Sequence, residues 1–429
     1  MNKKTALILF MMTALSVYLV SCHKSSGGGG ASCGLPSVPA CGSGANVLPI
    51  TMGLQSVCGQ HGYVNEPCVS VRICQSGTGN CVTVDNILLD TGSYGLRVYS
   101  STIAGIVNSL TSITDISNHP IGECALFGTG AEWGPVKRAD VYMGGEGAAS
   151  NIPIQVIDAT FASMNGTSCS GRNASPGPGP GGPCSTGSGC DGFNGILGVG
   201  VFAQDCGTGC ATVAGNGFYY SCSTVGCTSG TSVNPTTMSL ANQVLNPVSA
   251  LATDNNGVLL RFADTGPNGQ ASQTGCMMMG IGTQSNNSTA GVTMYPADSN
   301  GNFQVTFGGN TYSQSFIDSG SNGIFFPTSS SSPTECSSSG SAPGFYCPTT
   351  SVSLSATNAG SAGTPSGAAC FVSSNAESLI QTGNLVFDDI TGSSSNYFDW
   401  GLPFFLGRSV FVGIQGKSSS LGTGPYWAY

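Results

Sequence analysis

Short apolar runs separated by Gly, Asn, Ser and Pro dominate the chain, and long helical periodicities are rare. The clearest runs are "CVSVRIC" at 68–74, "CVTVDNILLD" at 81–90 and "NIPIQVID" at 151–158. They are rich in Val and Ile and are bounded by turn residues, which is typical of β-strands. Gly308-Gly309-Asn310 joins two further runs and predicts a hairpin. The pattern therefore predicts an all-β protein.

Two stretches lack any apolar period, and one has helical spacing. Residues 165–192 and 327–344 are rich in Pro, Gly and Ser, which predicts long surface loops. Helical spacing is clearest in "TMSLANQVLNPVSALA" at 237–252, although Pro247 interrupts it. That segment lies near the middle of the chain, and we expect a boundary between two halves there.

The two halves of the chain resemble one another. "NILLDTGSYGLRVYS" at 86–100 and "QSFIDSGSNGIFFPT" at 314–328 share an apolar run, Asp, a hydroxyl residue, Gly, Ser and a second apolar run. An apolar-apolar-Gly element follows each, as "GILG" at 195–198 and, we expect, as "FFLG" at 404–407. An internal repeat of this size indicates two homologous lobes. We predict an N-terminal lobe at 47–245 and a C-terminal lobe at 246–429.

The repeat places one aspartate, Asp90 or Asp318, at the same position in each half. Two carboxylates that share one proton can activate a water molecule and protonate a leaving group, which amide hydrolysis requires. The same Asp-Thr-Gly tripeptide recurs at Asp264 without a symmetric partner, and there it indicates only a turn. Asp191 and Asp205 also lack a partner, so we interpret them as loop or cap residues.

The residues next to each aspartate have physical roles in this hypothesis. Gly92 and Gly320 allow backbone N–H groups to approach the carboxylates, which a Cβ could obstruct. Ser93 and Ser321 are expected to donate hydrogen bonds to the outer carboxylate oxygens. Because such bonds favour the ionised form, this arrangement predicts the highest activity at acidic pH.

Taken together, these motifs resemble the pepsin-like aspartic proteases over nearly the whole chain from about residue 47. The resemblance implies a bilobal fold with a cleft between the lobes. It also implies that Thr91 and Ser319 hydrogen-bond across the lobe interface. "FGTGAEWGPVKRADVYMGG" at 127–145 resembles the flap hairpin of that family. Four flap residues would then line the substrate cleft: Phe127, Gly128, Thr129 and Gly130.

Two positions depart from the family pattern. Phe127 stands where the flap usually carries Tyr, and Arg97 stands where the Trp that orients this Tyr is usual. Both members of one hydrogen-bonded pair are therefore changed. This leaves two hypotheses: a protease with a differently built flap, or a pepsin-like fold that binds peptides or glycans without cutting them.

The N-terminus predicts export. Lys3 and Lys4 precede an uncharged apolar run at 5–20, which is shorter than the roughly 20 residues of a membrane-spanning helix. "LVSC" ends at Cys22 and resembles the bacterial lipobox, in which the Cys is lipidated. We therefore expect a signal peptide at 1–21 and a Gly/Ser-rich tether at 22–46. These features together resemble a bacterial family of exported proteins of unknown function that shares this fold.

Cysteine content and charge narrow the functional classes. The chain has 19 cysteines, so lipidation of Cys22 leaves an even number, which an oxidising compartment would pair as disulfides. Close spacings favour local pairs at Cys74/Cys81, Cys206/Cys210 and Cys222/Cys227. Three histidines, none in a C-x-x-C setting, indicate neither a metal site nor a cofactor. With 11 basic against 20 acidic residues and no basic stripe, nucleic acid is excluded as a partner.

The leading hypothesis is an exported, lipid-anchored aspartic endopeptidase, acting as a monomer on a peptide or protein substrate. Since His23 rather than Asp follows Cys22, we expect the anchor to reside in the outer membrane of the bacterial cell envelope. The alternative is a non-catalytic peptide- or glycan-binding lipoprotein on the same fold.

Overall fold

A computed structural model describes residues 38–53, 58, 63–128, 130–171, 192–330 and 332–429. Strands β1 to β11 belong to the first half of the chain: Val47–Gly53, Cys68–Cys74, Cys81–Asp90, Tyr94–Tyr99, Thr111–Ser112, Ile121–Leu126, Ala131–Tyr142, Ala149–Ile157, Gly195–Val199, Tyr219–Cys222 and Val233–Pro235. Strands β12 to β25 belong to the second half: Gly257–Phe262, Ser272–Met279, Met294–Pro296, Phe303–Phe307, Asn310–Ile317, Ile324–Pro327, Val352–Ala359, Ser366–Ser373, Thr391–Ser394, Asp399–Trp400, Ser409–Gly413, Ser418–Ser419, Gly422–Thr423 and Tyr426–Ala428.

Helices are few and short in the described ranges. The α-helices α1 to α3 span Thr208–Thr212, Ala376–Ile380 and Leu402–Phe405, and three single 3₁₀ turns span Ser100–Ile103, Pro247–Ala250 and Ser285–Asn287. The helix-like spacing at 237–252 was a wrong indication, because only the 3₁₀ turn at Pro247 forms there. Proline at the first position of that turn removes a backbone N–H donor, and the Asn246 side chain accepts from Val248 N instead.

The described residues form two large sheets and a small one of β23 and β24. One has 16 strands in the described residues, and its central order is β11-β10-β6-β7-β8-β4-β9-β3-β2-β1-β13-β12-β22-β25-β14. In it, β1 from the first half pairs antiparallel with β13 from the second, from Val47↔Met278 to Gly53↔Ser272. The other sheet has seven strands, all from the second half, in the order β19-β18-β15-β16-β21-β17-β20. The all-β, two-lobed architecture predicted from the repeat is confirmed.

The hairpin predicted at Gly308 connects β15 to β16. Phe307 pairs with Asn310, and the two residues between them, Gly308 and Gly309, have φ of 56° and 83°. Positive φ at both central residues matches the twist of the flanking strands, and glycine adopts it without steric cost. The loop is therefore a two-residue hairpin turn, as the sequence predicts.

The repeat is visible in how strands pair beside each aspartate. In the first half β3 runs parallel to β9, with Leu88 opposite Ile196 and Asp90 opposite Gly198. In the second half β16 runs parallel to β21, with Phe316 opposite Asp399. Continuing that register places Gly401 opposite Asp318, in the role of Gly198.

The segment equivalent to "GILG" is therefore Asp399-Trp400-Gly401 rather than the "FFLG" at 404–407. The two phenylalanines of that stretch belong to α3, the helix that follows Gly401. A Cβ on Gly401 would lie 2.0 Å from Gly323 O, so the close approach of these segments requires glycine. The expected position was wrong because Asp399 stands where the pattern has an apolar residue, and only strand pairing identifies this segment as the equivalent one.

Disulfide bonds are present in both halves of the chain. The three local pairs expected from spacing are present, and four further bonds are described: Cys41–Cys276, Cys58–Cys68, Cys124–Cys169 and Cys336–Cys347. Cys370 is disulfide-bonded as well, so every cysteine in the described ranges is oxidised. The Cys41–Cys276 bond fixes the segment before β1 to β13 of the second half.

Among the described residues, no helix combines the length and apolarity that crossing a bilayer requires. Cys22, the signal segment and most of the expected tether lie outside the described residues, so those expectations stay predictions. The lobe boundary at 245/246 also stays a prediction.

Candidate active site

Asp90 and Asp318 end equivalent strands and face one another. Asp90 is the last residue of β3, and Asp318 directly follows β16. The N–H of Gly92 lies 2.7 Å from Asp90 Oδ1 and 3.2 Å from Asp318 Oδ1, so one backbone donor serves both carboxyl groups. The N–H of Gly320 donates to Asp318 Oδ1 at 2.8 Å. The structure thus brings together the two aspartates that the repeat singled out.

Glycine is required at both turns beside the carboxyl groups. A Cβ on Gly92 would lie 2.5 Å from Asp318 Cγ, and a Cβ on Gly320 would lie 2.9 Å from Asp90 Cγ. Each turn therefore packs against the opposite carboxyl group, and a side chain at either position would separate the two aspartates.

The serines after each glycine contact the outer carboxylate oxygens. Ser93 Oγ donates to Asp90 Oδ2. Ser321 Oγ lies 2.9 Å from Asp318 Oδ2, but it also lies 2.6 Å from Oδ2 of a third carboxyl group, Asp399. The two halves of the site are therefore asymmetric on this outer side.

Thr91 and Ser319 join the two turns across the interface. Thr91 Oγ1 donates to Ile317 O at 2.9 Å, and Ser319 Oγ donates to Leu89 O at 2.7 Å. Each hydroxyl also accepts from the backbone N–H of the other residue, at 2.9 and 3.1 Å. Both residues are at most 1% exposed, so four hydrogen bonds hold the turns in a reciprocal arrangement shielded from water.

The electrostatics of the pair favour a retained proton. Burial, followed by the neighbouring charge of Asp318 and a hydrogen bond to it, raises the pKa of Asp90 well above its ordinary value. The hydrogen bonds from Ser93 and Gly92 act in the opposite direction and are outweighed. At Asp90, burial and like charge thus exceed the effect of the serine hydrogen bond on which the sequence expectation relied.

A cleft of about 410 Å³ opens over the two aspartates. Residues from both halves line it, and its aromatic members are Tyr63, Phe127, Phe193, Phe325 and Tyr397. Carboxyl groups of Glu132 and Asp399 line it in addition to the pair. A cleft with apolar walls and a polar base has the general character of a ligand-binding site.

The expected flap borders this cleft. Phe127 N donates to Gly130 O at 2.9 Å, which closes the tip between β6 and β7. The Phe127 ring packs against the apolar cluster of Leu88, Phe193 and Ile196. Phe127, Gly128 and Gly130 line the cleft, whereas Thr129 lies outside the described residues.

Arg97 has a partner set of its own beneath the flap. Its guanidinium lies 2.5 Å from Glu123 Oε1 and 3.1 Å from Asp205 Oδ2, and all three side chains are at most 3% exposed. Tyr219 donates to Asp205 at 2.6 Å. Asp205 therefore lies in a loop, as expected, but it caps no helix and its side chain is a buried partner of an ion pair. The centroid of the Phe127 ring lies 5.8 Å from the guanidinium carbon of Arg97, which is a cation–π contact. This contact stands where the family pattern implies a hydrogen bond between Tyr and Trp.

Asp264 behaves as the turn that its setting predicts. It is exposed, its carboxylate accepts a long 3.5 Å bond from Gly266 N, and it does not line the cleft. Asp191 lies outside the described residues.

Sequence reasoning missed Asp399 and Tyr63. Tyr63 donates to Gly320 O at 3.0 Å from a first-half loop. For Asp399 a signal existed, because "DWG" at 399–401 is the second copy of the segment that "ILG" forms at 196–198. The match was hard to recognise because Asp399 is acidic where Ile196 is apolar.

One further cluster, Cys58, Glu66 and Cys68, consists of residue types that can bind metals. Both sulfurs form a disulfide with each other and therefore offer no thiolate.

The described residues thus define a two-lobed all-β protein with a hydrogen-bonded aspartate pair at the base of its cleft. The chain belongs to the family described as "Protein of unknown function (DUF3443)", whose model matches residues 42–429. No curated protein matches the sequence significantly. Among solved structures, an aspartic proteinase from Irpex lacteus is similar, with a TM-score of 0.43 and 16% identity over 89% of this chain and 96% of that chain.

Proposed function

We propose that this protein is an exported, lipid-anchored aspartic endopeptidase. The observation that carries the proposal is the pairing of Asp90 and Asp318: both carboxyl groups share the Gly92 N–H, and each has its own serine hydroxyl. Like charges this close cannot both ionise, so the pair keeps one proton over a wide pH range. A pair in that state combines a general base and a general acid.

In the proposed reaction, a water molecule lies between the two carboxyl groups. The ionised aspartate accepts a proton from this water as the water oxygen attacks the peptide carbonyl carbon. The protonated aspartate donates a hydrogen bond to the carbonyl oxygen, where negative charge develops. The amine then leaves with a proton from the pair, and the peptide C–N bond breaks. No covalent intermediate or metal ion takes part in this scheme.

The aromatic lining of the cleft supports a peptide as the substrate. Tyr63 and Phe193 from the first half and Phe325 from the second offer apolar surface in the cleft, which suits an extended chain with apolar side chains. Glu132 adds an acidic group and disfavours acidic side chains near the cut bond. We expect cleavage between apolar or aromatic residues in peptides without nearby acids.

The test is incubation of the purified, disulfide-intact protein with a peptide library from about pH 3 to 8, with and without a statine-type transition-state inhibitor. Inhibitable cleavage supports the proposal. Inhibitor or peptide binding without cleavage would favour the binding-protein alternative, which the missing hydroxyl at Phe127 supports. Failure of both would remove the peptide-directed function.

The lipid anchor is tested separately. We expect the wild-type protein in detergent-soluble outer-membrane fractions, and we expect Cys22→Ser to be released or to retain its signal segment. Labelling with a radioactive fatty acid gives the direct readout. Recovery of unlabelled wild type as a soluble periplasmic protein would contradict this part of the proposal and leave the protease part untouched.

A further inference from the structure

A third carboxyl group shares a hydroxyl with the aspartate pair. Ser321 Oγ lies 2.9 Å from Asp318 Oδ2 and 2.6 Å from Asp399 Oδ2. Asp399 is 6% exposed and lines the same cleft. In the first half the equivalent strand position holds Ile196, and Ser93 contacts Asp90 alone. The third acid is therefore present on one side of the site only.

The number of protons available to the hydrogen bonds limits the charge states of Asp90, Asp318 and Asp399. A serine hydroxyl has one proton and can donate to one carboxylate only. The second short contact of Ser321 therefore needs a proton supplied by Asp318 or Asp399. The hydrogen bond between Asp90 and Asp318 needs another proton. Three carboxyl groups consequently hold two protons when all of these contacts are formed.

The surroundings of Asp399 favour it as a holder of a proton. Burial first, and then the charges of Asp318 and Asp90, raise its pKa well above the ordinary value, and the Ser321 hydrogen bond only partly offsets this. Its other oxygen, Oδ1, is buried without a hydrogen-bond partner, which costs a neutral carboxyl much less than a carboxylate. The phenol of Tyr397 is a further titratable neighbour, and burial first, then the charge of Asp399, raise the pKa of that phenol.

We propose that Asp399 is a positioning residue for the aspartate pair: its carboxyl group donates a proton to Ser321 Oγ, and Ser321 in turn donates to Asp318 Oδ2. This inference rests on the proposed function. The chain of donors supports the ionised form of Asp318 while Asp399 is neutral. At higher pH Asp399 loses its proton, and its charge then opposes loss of the last proton from the pair. The acid thereby extends the active range toward higher pH.

Two substitutions separate this role from packing. Asp399→Asn keeps the size and removes the charge, and Asp399→Ile installs the residue type of the equivalent Ile196. In both variants we expect the alkaline limb of the kcat/KM profile to move to lower pH by about 1 unit, because a nearby negative charge is gone. The acid limb should stay in place in Asp399→Asn, whose amide N–H can still donate to Ser321 Oγ, and it should move to higher pH in Asp399→Ile, which loses this donor. Asp264→Asn, in the exposed turn, is the matched control and should move neither limb.

A lower kcat with both limbs unmoved would overturn the proposal, as it would show a packing role alone. Infrared difference spectra between wild type and Asp399→Ile give a second readout that needs no activity. At about pH 6 we expect a protonated carboxyl band in wild type that the variant lacks. If that band is absent, the proton-holding role fails. If the band is present and no peptide is cleaved, the proposed function fails while the assignment of the proton stands.

Discussion

Thr91 and Ser319 each accept a hydrogen bond at the side-chain hydroxyl from the backbone N–H of the other, across the two halves of the molecule. Their hydroxyl protons go to backbone carbonyls of the opposite strands. This reciprocal arrangement sets the distance between the turns that carry Asp90 and Asp318. Its geometry leads to the first prediction.

Thr91→Val should lower the free energy of unfolding by about 1–3 kcal/mol, because Ile317 O and Ser319 N lose their partner in a buried setting. Peptide cleavage should fall as well, since the aspartates are no longer held in register. Denaturant unfolding and kcat measure the two effects. Thr306→Val, at the exposed position of β15, is the control and should change stability by less than about 0.5 kcal/mol. Equal effects of the two substitutions would contradict the prediction.

Asp90→Asn and Asp318→Asn should each reduce kcat by at least about 10²–10⁴-fold, because each keeps the size of the side chain and loses its acid–base function. Circular dichroism should show an unchanged fold. Asp264→Asn carries the same substitution in the same tripeptide outside the cleft and should retain near-normal activity. Undiminished cleavage by Asp318→Asn would rule out the shared-proton mechanism.

Glu66→Gln should stabilise the protein at high pH. Burial raises the pKa of Glu66 from its ordinary 4.5 to about 8, and its Oε1 is buried without a hydrogen-bond partner. A carboxyl group that binds its proton more tightly when folded makes stability fall as pH rises from about 4.5 to about 8. Glutamine removes this dependence, so the variant should exceed wild type by a few kcal/mol above pH 8 and equal it near pH 4.

The measurement is the free energy of unfolding across that pH range under non-reducing conditions. Glu335→Gln is the matched control, because that carboxylate is exposed. A stability difference for Glu66→Gln that is the same at both ends of the range would show that the carboxyl group does not titrate between them.

Arg97→Met should destabilise the first half by about 3–5 kcal/mol, because it leaves the buried carboxyl groups of Glu123 and Asp205 without their cation. Burial and the neighbouring Glu123 raise the pKa of Asp205. Asp205 is therefore neutral at acidic pH, and the loss of stability should be smaller there. Arg72→Met, at an exposed site over the Tyr142 ring, controls for loss of an arginine and should cost about 1 kcal/mol or less. Comparable losses for both variants would contradict a buried ion-pair role.

The amino-acid sequence by itself determined the strands, the hairpin at Gly308, the three local disulfides and the repeated aspartates. Strand alternation and turn residues are encoded by near neighbours, and cysteines four to seven residues apart have few other partners. The repeat was readable because each copy keeps Asp, a hydroxyl residue, Gly and Ser in an unbroken run. Local patterns of this kind require no knowledge of which strands meet.

Only the tertiary structure decided which segment packs beside Asp318 and what surrounds it. Asp399 lies 78 residues from Ser321 in sequence, and Arg97 meets Asp205 over 108 residues. Such contacts depend on the parallel register of β16 with β21 and on the course of loops between them, which no local pattern specifies. Asp399 occupies the position that Ile196 has in the other half, so the repeat cannot be recognised there from sequence. Strand pairing shows that the two positions are equivalent and brings Asp399 next to Ser321. The physical reason is that burial and shared hydrogen bonds, which give these side chains their charge states, exist only once distant strands have paired.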